Sequence, residues 1–277
     1  MEIKKTELGP LEVQFFAYTQ MRKKVLVRTG DLTHVLRINP KQERELLSRM
    51  SRAGVIIRLK RGVYLAPPRV PPGGRYGVDE YLILEKLMEV LKGRYQISGP
   101  NAFNYYGFND QIPNRVYVYN NRIYGERRIG SLQFSFIKTD EIRLGGTTVF
   151  KTGTGSEGII ASKARALLDA VYDWSRFNTI PRVYKWIAEE IKKDKTFAKD
   201  LVNITVKYSN QGTYRRLGYL LENLGVNRNL IDRLKRKLRV SKSLFLWVPN
   251  RPAKGPVNKE WGLVINAEPK FLSDLRP

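Results

Sequence analysis

The sequence predicts an α+β protein in which an N-terminal winged helix-turn-helix precedes a larger mixed α/β domain. A basic helix from Pro40 to Ala53 leads through a glycine into VIIRLKRGVYLA, which has the pattern of a β-hairpin. A proline- and glycine-rich stretch follows, and beyond it helical and strand periodicities alternate. The 277 residues suffice for two domains. We predict a winged helix over 1–66, a linker over 67–77 and the larger domain over 78–277.

The elements before the basic helix are short. Leu11 to Met21 has apolar residues at helical spacing and predicts a first helix, and Val25 to Val27 predicts a strand. Thr29 is predicted to cap a second helix that carries Leu32 and Leu36 on its inner side. The sequence therefore presents the basic helix on a small scaffold of helix, strand and helix.

The basic helix is predicted to read DNA. Asn39 caps its start, Pro40 suits its first turn and Gly54 ends it. Apolar residues line one side of this helix, and the other side carries cations and amides that can hydrogen-bond to base edges in the major groove. Thr29, at the start of the preceding predicted helix, is also predicted to contact DNA. The predicted DNA-binding residues of these two helices are therefore Thr29, Lys41, Gln42, Arg44, Ser48, Arg49 and Arg52.

The hairpin that follows is predicted to be the wing. Its turn falls at Arg61-Gly62 between two strands. The cations of a wing lie against phosphates or the minor groove, which is the predicted role of Arg58, Lys60 and Arg61.

The remainder of the chain predicts an α+β domain. Ser98 or Gly99 opens a short helix that runs toward Gly107, and Ser162 caps a longer one. Further helices are predicted over 78–91, 180–191 and 214–224, and strands over 115–119, 130–137, 147–150, 243–250 and 261–269.

The net charge of +24 indicates a polyanionic partner. Residues 1–75 contain 16 basic and 6 acidic residues, and residues 210–277 contain 14 and 5, so both ends are strongly basic. Nucleic acid is favoured over a membrane surface because no basic amphipathic helix with large exposed apolar residues is evident. The chain has no cysteine and no apolar run long enough to cross a bilayer, and its N-terminus lacks a secretory segment. These features predict a soluble, cytoplasmic protein that contacts no membrane.

Catalytic and metal sites are not predicted, and neither is a cofactor. His34 is the only histidine, so it leaves no base for a serine nucleophile and no histidine-rich metal site. Asp169 and Asp173 share a helix face, but the nearby Lys163, Arg165 and Arg176 favour an ordinary ion-paired surface. We therefore expect no enzymatic activity.

Two further patterns are interpreted as structural. The glycines of residues 153–158 suggest a phosphate loop, but no Gly-Lys-Ser/Thr follows, which favours a plain loop. Several aromatic residues suggest a base-stacking platform, although core positions are favoured for them: Tyr105, Tyr106, Phe108, Tyr117, Tyr119 and Tyr124.

Four motifs, in order along the chain, carry a resemblance to a known family. RGVY at the wing precedes ISGPNAFNYYGF, ASKARALLDAV and YRRLGYLLENLG. Together they resemble the AbiEi-type antitoxins of abortive-infection systems, regulators associated with defence against viruses. The resemblance implies an autorepressor that binds inverted repeats in its own promoter, with two copies per operator. It also implies a C-terminal domain that neutralises a nucleotidyltransferase-like toxin.

The resemblance also assigns residues in the C-terminal domain. Tyr214, Arg215 and Arg216 match the arginine-bearing helix start of the family, where they contact the toxin, DNA or their own fold. The basic stretch that follows is a further candidate for binding a partner or nucleic acid, through Arg233, Lys235, Arg236, Lys237 and Arg239.

Two alternative functions remain at this point. A stand-alone winged-helix transcription factor would use the C-terminal domain to sense a ligand. An RNA-binding protein, or an enzyme subunit that acts on RNA, would use the winged helix as a general nucleic-acid clamp.

Overall fold

A computed structural model describes residues 8–152, 155–240 and 243–267. The protein is α+β, as the sequence predicts, and begins with a winged helix on a three-stranded antiparallel sheet of order β1-β3-β2. Its elements are α1 (Pro10–Met21), β1 (Leu26–Arg28), α2 (Pro40–Arg52), β2 (Ile57–Lys60) and β3 (Val63–Leu65).

Helix α2 has the ends that the sequence predicts. The Asn39 side chain accepts hydrogen bonds from the backbone amides of Lys41 at 3.0 Å and Gln42 at 2.9 Å. The Gln42 side chain returns a bond by accepting from the Asn39 amide at 2.9 Å, which completes a capping box. After the helix, Gly54 adopts a left-handed conformation with φ of +77°.

The predicted helix after Thr29 is wrong, because residues 29–37 form turns. Gly30 has φ of +102°, which a helix cannot accommodate. The buried carboxylate of Glu43 accepts the amides of Gly30 at 2.7 Å and Leu32 at 2.8 Å. Thr29 caps nothing, and its amide instead donates to the Gly62 carbonyl of the wing at 3.0 Å.

Both faces of the wing hairpin contribute side chains to a hydrophobic core. Tyr64 packs into the winged-helix core with the two helices. The opposite face belongs to the core of the second domain, through Ile57, Leu59 and Val63. One hydrophobic core therefore contains residues from both sides of the proline- and glycine-rich segment. At the end of this segment, the Tyr76 amide donates a hydrogen bond to the Gly54 carbonyl of the winged helix at 2.8 Å.

The second domain is built on a mixed sheet of order β6-β7-β5-β4-β9-β8. The β5–β7 and β4–β9 pairs are parallel and the others are antiparallel. The strands are β4 (Tyr95–Ile97), β5 (Val116–Asn120), β6 (Gly125–Ile129), β7 (Leu132–Lys138), β8 (Thr147–Lys151) and β9 (Glu157–Ala161).

Helices cover this sheet, and the most deeply buried of them is α5. Its cap is the predicted one, because the Ser162 hydroxyl accepts from the Arg165 amide at 3.3 Å. The helices are α3 (Glu80–Leu91), α4 (Pro100–Tyr105), α5 (Lys163–Tyr172), α6 (Trp174–Phe177), α7 (Arg182–Lys193), α8 (Phe197–Tyr208), α9 (Gln211–Asn223) and α10 (Arg228–Lys235).

Residues 243–267, called here the C-terminal strap, form a small sheet of order β10-β12-β11. Trp247 in the strap stacks on Tyr184 of α7 with ring centroids 4.0 Å apart, so the strap belongs to the core. Its strands are β10 (Phe245–Leu246), β11 (Val257–Asn258) and β12 (Leu263–Val264).

The carboxylate pair on α5 is not the ion-paired surface that the sequence favours. Asp169 is fully buried, and its carboxylate accepts from Arg165 Nε at 2.9 Å and from the Ser98 hydroxyl at 2.8 Å. Asp173 accepts from the Tyr119 hydroxyl at 2.6 Å, and burial raises the pKa of this carboxyl. The two acids therefore fasten the sheet to α5.

Candidate nucleic-acid interface

Helix α2 separates a packing side from a free side. Leu46, Leu47 and Met50 are buried in the winged-helix core, and Glu43 is buried against the turns before the helix. The free side is exposed and basic, and it carries every predicted α2 contact: Lys41, Gln42, Arg44, Ser48, Arg49 and Arg52. This face can enter a major groove about 12 Å wide without disturbing the core.

Two of these side chains are held by neighbouring groups. Arg49 Nε lies 3.0 Å from a Glu12 carboxylate oxygen on α1, and the Arg49 side chain remains 56% exposed. Glu12 also accepts from the Gly9 amide at 2.7 Å. Gln42 uses its carbonyl oxygen in the capping box. An exposed ion pair contributes less than about 1 kcal/mol. Glu12 therefore orients the Arg49 side chain but leaves it able to bind a DNA base or phosphate.

The tip of the wing presents the predicted cations. Arg58 and Arg61 are exposed and Lys60 is half-buried. The turn at Arg61-Gly62 is tight, and Gly62 has φ of +73°. Thr29, also a predicted contact, is exposed beside this turn, and a Cβ on Gly62 would lie 3.2 Å from its hydroxyl. Thr29 thus supports the wing instead of beginning a helix.

The structure adds two arginines that the sequence reasoning missed. Strand β6 is an edge strand beside β2 of the wing, and it exposes Arg127 and Arg128. The turn after β6, at Gly130, touches Ile57 in β2. The sequence displays the ERR run, but only tertiary packing brings it beside the wing.

Three C-terminal residues that were candidates for contact with a partner or nucleic acid are buried inside the second domain. Tyr214 is buried, and its hydroxyl donates to the Val206 carbonyl at 3.1 Å. Arg215 donates to the carbonyls of Trp261 and Arg239, each at 2.8 Å. A macromolecular surface cannot reach these groups: Tyr214 is bonded to α8, and Arg215 is bonded to the C-terminal strap and to the segment just before it.

Arg216 is also buried, with Nε donating to the Leu246 carbonyl at 3.0 Å. Burial lowers the pKa of both Arg215 and Arg216. Of the roles left open for this arginine pair, these hydrogen bonds support contacts within their own fold.

The basic stretch after α9 is only partly available to a partner. Lys235 bonds to Glu222 at 2.9 Å and also to Glu260. Burial alone would lower the pKa of Lys235, but these hydrogen bonds outweigh it and raise the pKa. Arg233 is half-buried, whereas the exposed members are Arg236, Lys237 and Arg239.

The features that the sequence reasoning set aside have ordinary surroundings. His34 is exposed in the turns before α2. Tyr119 is buried, whereas Tyr124 is 77% exposed, so the predicted aromatic set is not one continuous platform. Gly153 and Thr154 of the glycine-rich segment lie outside the described residues.

The described parts of the chain contain no cluster of acidic or histidine side chains that could hold a metal ion. They also contain no helix with the length and apolar character needed to cross a membrane.

Comparison with known proteins identifies the first domain. Residues 18–67, from the end of α1 through the wing, match the family model described as a transcriptional regulator, AbiEi antitoxin. The N-terminal domain is similar to the AbiEi type. This finding confirms the resemblance for the part of the chain that presents α2 and the wing, and it supports a DNA-binding regulator.

The AbiEi-type domain and the domain behind it share their fold with a solved structure. The crystal structure of the RV2827C protein from Mycobacterium tuberculosis superposes with a TM-score of 0.56 at 14% sequence identity. The likeness covers 93% of this chain and 92% of the other, so it extends through both domains as a shared fold. No curated protein matches the chain.

Proposed function

We propose that the protein is a sequence-specific DNA-binding autorepressor and the antitoxin of an abortive-infection pair. The observation that carries the proposal is the exposed basic face of α2, held beside a cationic wing within an AbiEi-type domain. Such a pair of elements reads base edges with the helix and grips phosphates with the wing.

The reading step belongs to α2. Arg44 is exposed on the free side of the helix, and arginine can bond in bidentate fashion to guanine O6 and N7. Arg49 is also exposed on the free side of the helix, and it is oriented by Glu12. Each such base contact contributes about 1–3 kcal/mol of discrimination against a wrong base.

The gripping step belongs to the wing and is independent of sequence. Arg58 and Arg61 neutralise phosphates, which makes binding sensitive to salt. An inverted repeat would hold two copies of the chain related by a twofold axis. Their recognition helices would then enter major grooves one helical turn apart, about 34–36 Å.

The antitoxin role is proposed from the AbiEi match and from the C-terminal motifs. The C-terminal domain would neutralise a nucleotidyltransferase-like toxin, and the chain itself would have no catalytic activity. In support of the latter, the paired acids of α5 are committed to Arg165, Ser98 and Tyr119. Co-expression with a nucleotidyltransferase-like protein encoded beside it should restore growth, and residues 78–277 should be required for this rescue.

Binding to the upstream DNA of its own gene, titrated with salt, tests the repressor directly. The controls are scrambled duplex and single-stranded RNA of equal length. We expect a preference of about a thousandfold for the upstream duplex that survives near-physiological salt. Equal affinities that fall together as salt rises would refute the repressor and leave only a general electrostatic interaction.

A further inference from the structure

A cavity of 580 Å³ lies between the end of α5 and the start of α9, far along the chain from the DNA-reading helix. The described residues that line it include no carboxylate. Ligand pockets in proteins have volumes of about 300–1,000 Å³, so this space suits a small molecule. Its lining includes Trp174, Gln211, Gly212, Arg216 and Phe245.

The first component of the cavity is a cation without a counter-ion. Arg216 is 7% exposed, and among the described residues it forms no ion pair with a carboxylate. Its Nε is bonded to the Leu246 carbonyl, whereas no described group accepts from its two terminal nitrogens. A buried charge is costly unless it is paired, so this guanidinium is suited to an anion that enters from the cavity.

The second component is the start of α9. Asn210 caps this 13-residue helix by accepting the Thr213 amide at 2.9 Å. The preceding amides, of Gln211 and Gly212, have no carbonyl one turn earlier within the helix. Amides at a helix start bind phosphate because they point outward and carry the positive end of the helix dipole.

These two components meet at Gly212. A Cβ on this residue would lie 3.3 Å from Arg216 Nη1 and 3.2 Å from the ring of Phe245. The Arg216 guanidinium and the first amides of α9 therefore border the same small part of the cavity. A side chain at position 212 would intrude on that volume.

The third component is aromatic. Trp174 and Phe245 line the cavity, and the Arg216 guanidinium lies 5.8 Å from the Trp174 ring centroid. Aromatic walls stack with the bases of nucleotides, and each stacked base contributes about 1–3 kcal/mol.

We propose that this cavity binds the phosphate of a nucleotide, either free or at the 5′ end of a single strand. The phosphate would accept from Arg216 and the α9 amides, and the base would lie among the aromatic walls. The site does not depend on the proposed DNA-binding function, because none of its residues belongs to the winged helix.

Calorimetric titration of the full chain with adenosine monophosphate, adenosine and inorganic phosphate tests the proposal. We expect the monophosphate to bind roughly tenfold or more tightly than either part alone. A 5′-phosphorylated tetranucleotide and its unphosphorylated form distinguish a strand end from a free nucleotide. Absence of monophosphate binding at millimolar concentration, or equal binding of adenosine, would overturn the proposal.

Variants locate the site. Arg216→Gln should weaken monophosphate binding by roughly tenfold to a hundredfold, as expected for loss of a charge-assisted contact. Gly212→Ala should weaken it by a similar factor, because the added methyl group would occupy the volume proposed for the phosphate. Arg251→Gln, which removes one exposed positive charge from the C-terminal strap, is the matched control and should bind as the original protein does.

Hydrogen exchange on the unaltered protein gives a second measurement in case Arg216→Gln fails to fold. The monophosphate should protect the amides of residues 211–213. Undiminished binding by a folded Gly212→Ala variant, or protection confined to other segments, would refute the location.

Discussion

Ile57, in the first strand of the wing, packs against the turn at Gly130 of the second domain. A Cβ built on Gly130 would lie 3.3 Å from Ile57 Cδ1, and the φ of +61° at Gly130 favours glycine there. The element proposed to grip DNA therefore rests directly on the domain proposed to bind the toxin. A movement of the wing relative to the second domain would therefore change the contact between Ile57 and Gly130.

Replacing Ile57 by alanine should destabilise the whole chain. Loss of a buried isoleucine costs about 2–5 kcal/mol, and here the cavity would open between the two domains. Thermal unfolding measures the effect, with the exposed Val35→Ala as control. A melting temperature equal to that of the control would contradict the packing of the wing on the second domain.

Replacing Arg44 by alanine should reduce operator binding far more than binding to random DNA. The expected loss on the operator is about 1–3 kcal/mol, since one base contact disappears. Fluorescence anisotropy on both duplexes measures the difference, and Arg49→Ala should behave in the same way. Equal losses on the two duplexes would assign these arginines to phosphates.

Replacing Arg58 or Arg61 by alanine should weaken binding to both duplexes equally. Each replacement removes one phosphate contact, so the slope of log K against log salt should fall by about 1. Arg127→Ala and Arg128→Ala test whether the same surface extends onto β6. If these β6 variants bind with an unchanged salt slope, the interface ends at the wing.

Replacing Asp169 by asparagine should strongly destabilise the second domain. The change leaves the buried Arg165 guanidinium without its carboxylate, and breaking a buried pair in this way costs about 3–5 kcal/mol. Ser98→Ala removes only one neutral donor to the same carboxylate and should cost about 1–3 kcal/mol. Urea denaturation measures the free energy of unfolding of both variants. A larger decrease for Ser98→Ala than for Asp169→Asn would contradict the conclusion that the ion pair with Arg165 is the stronger of the two interactions of Asp169.

Asp173 should make stability depend on pH. Burial raises the pKa of this carboxyl in the folded protein above its ordinary value of 3.8. Within the window from 3.8 up to the raised pKa the folded state holds the proton more firmly, so this group's contribution to stability falls as pH rises. The stability of Asp173→Asn relative to the original protein should therefore increase as pH rises through this window.

Melting temperatures of the two proteins from pH 3.5 to 7 measure this difference, and the exposed Asp110→Asn reports the effect of removing one surface charge. A relative stability of Asp173→Asn that declines with pH would reverse the assigned direction.

Local signals in the sequence were enough to place the recognition helix. Asn39, Pro40 and Gly54 act on backbone groups within a few residues, and the structure has the predicted cap and left-handed turn there. The helix after Thr29 failed for the opposite reason. The Glu43 carboxylate accepts hydrogen bonds from the amides of Gly30 and Leu32, which lie 13 and 11 residues earlier in the chain. A local sequence pattern does not reveal that this distant side chain stabilises turns in place of a helix.

The burial of the C-terminal arginines could not be predicted from the sequence, because two adjacent cations on a helix are usually exposed. Their backbone acceptors lie 24 to 46 residues further along the chain, in or just before the strap. Helix α8 was not predicted either, since its segment FAKDLVNITVKY contains several β-branched residues that weaken a helical pattern. Tertiary packing decides both cases.

The hold of Arg215 and Arg216 on the C-terminal strap also sets an order of events during synthesis. The ribosome makes α9 before the strap, so for a time both guanidinium groups lack the carbonyls of Leu246 and Trp261. The winged helix has all of its own hydrogen-bonding partners much earlier. Helix α2 and its capping partners are therefore synthesised well before the strap, whereas the apolar residues of the wing gain their second-domain neighbours only later.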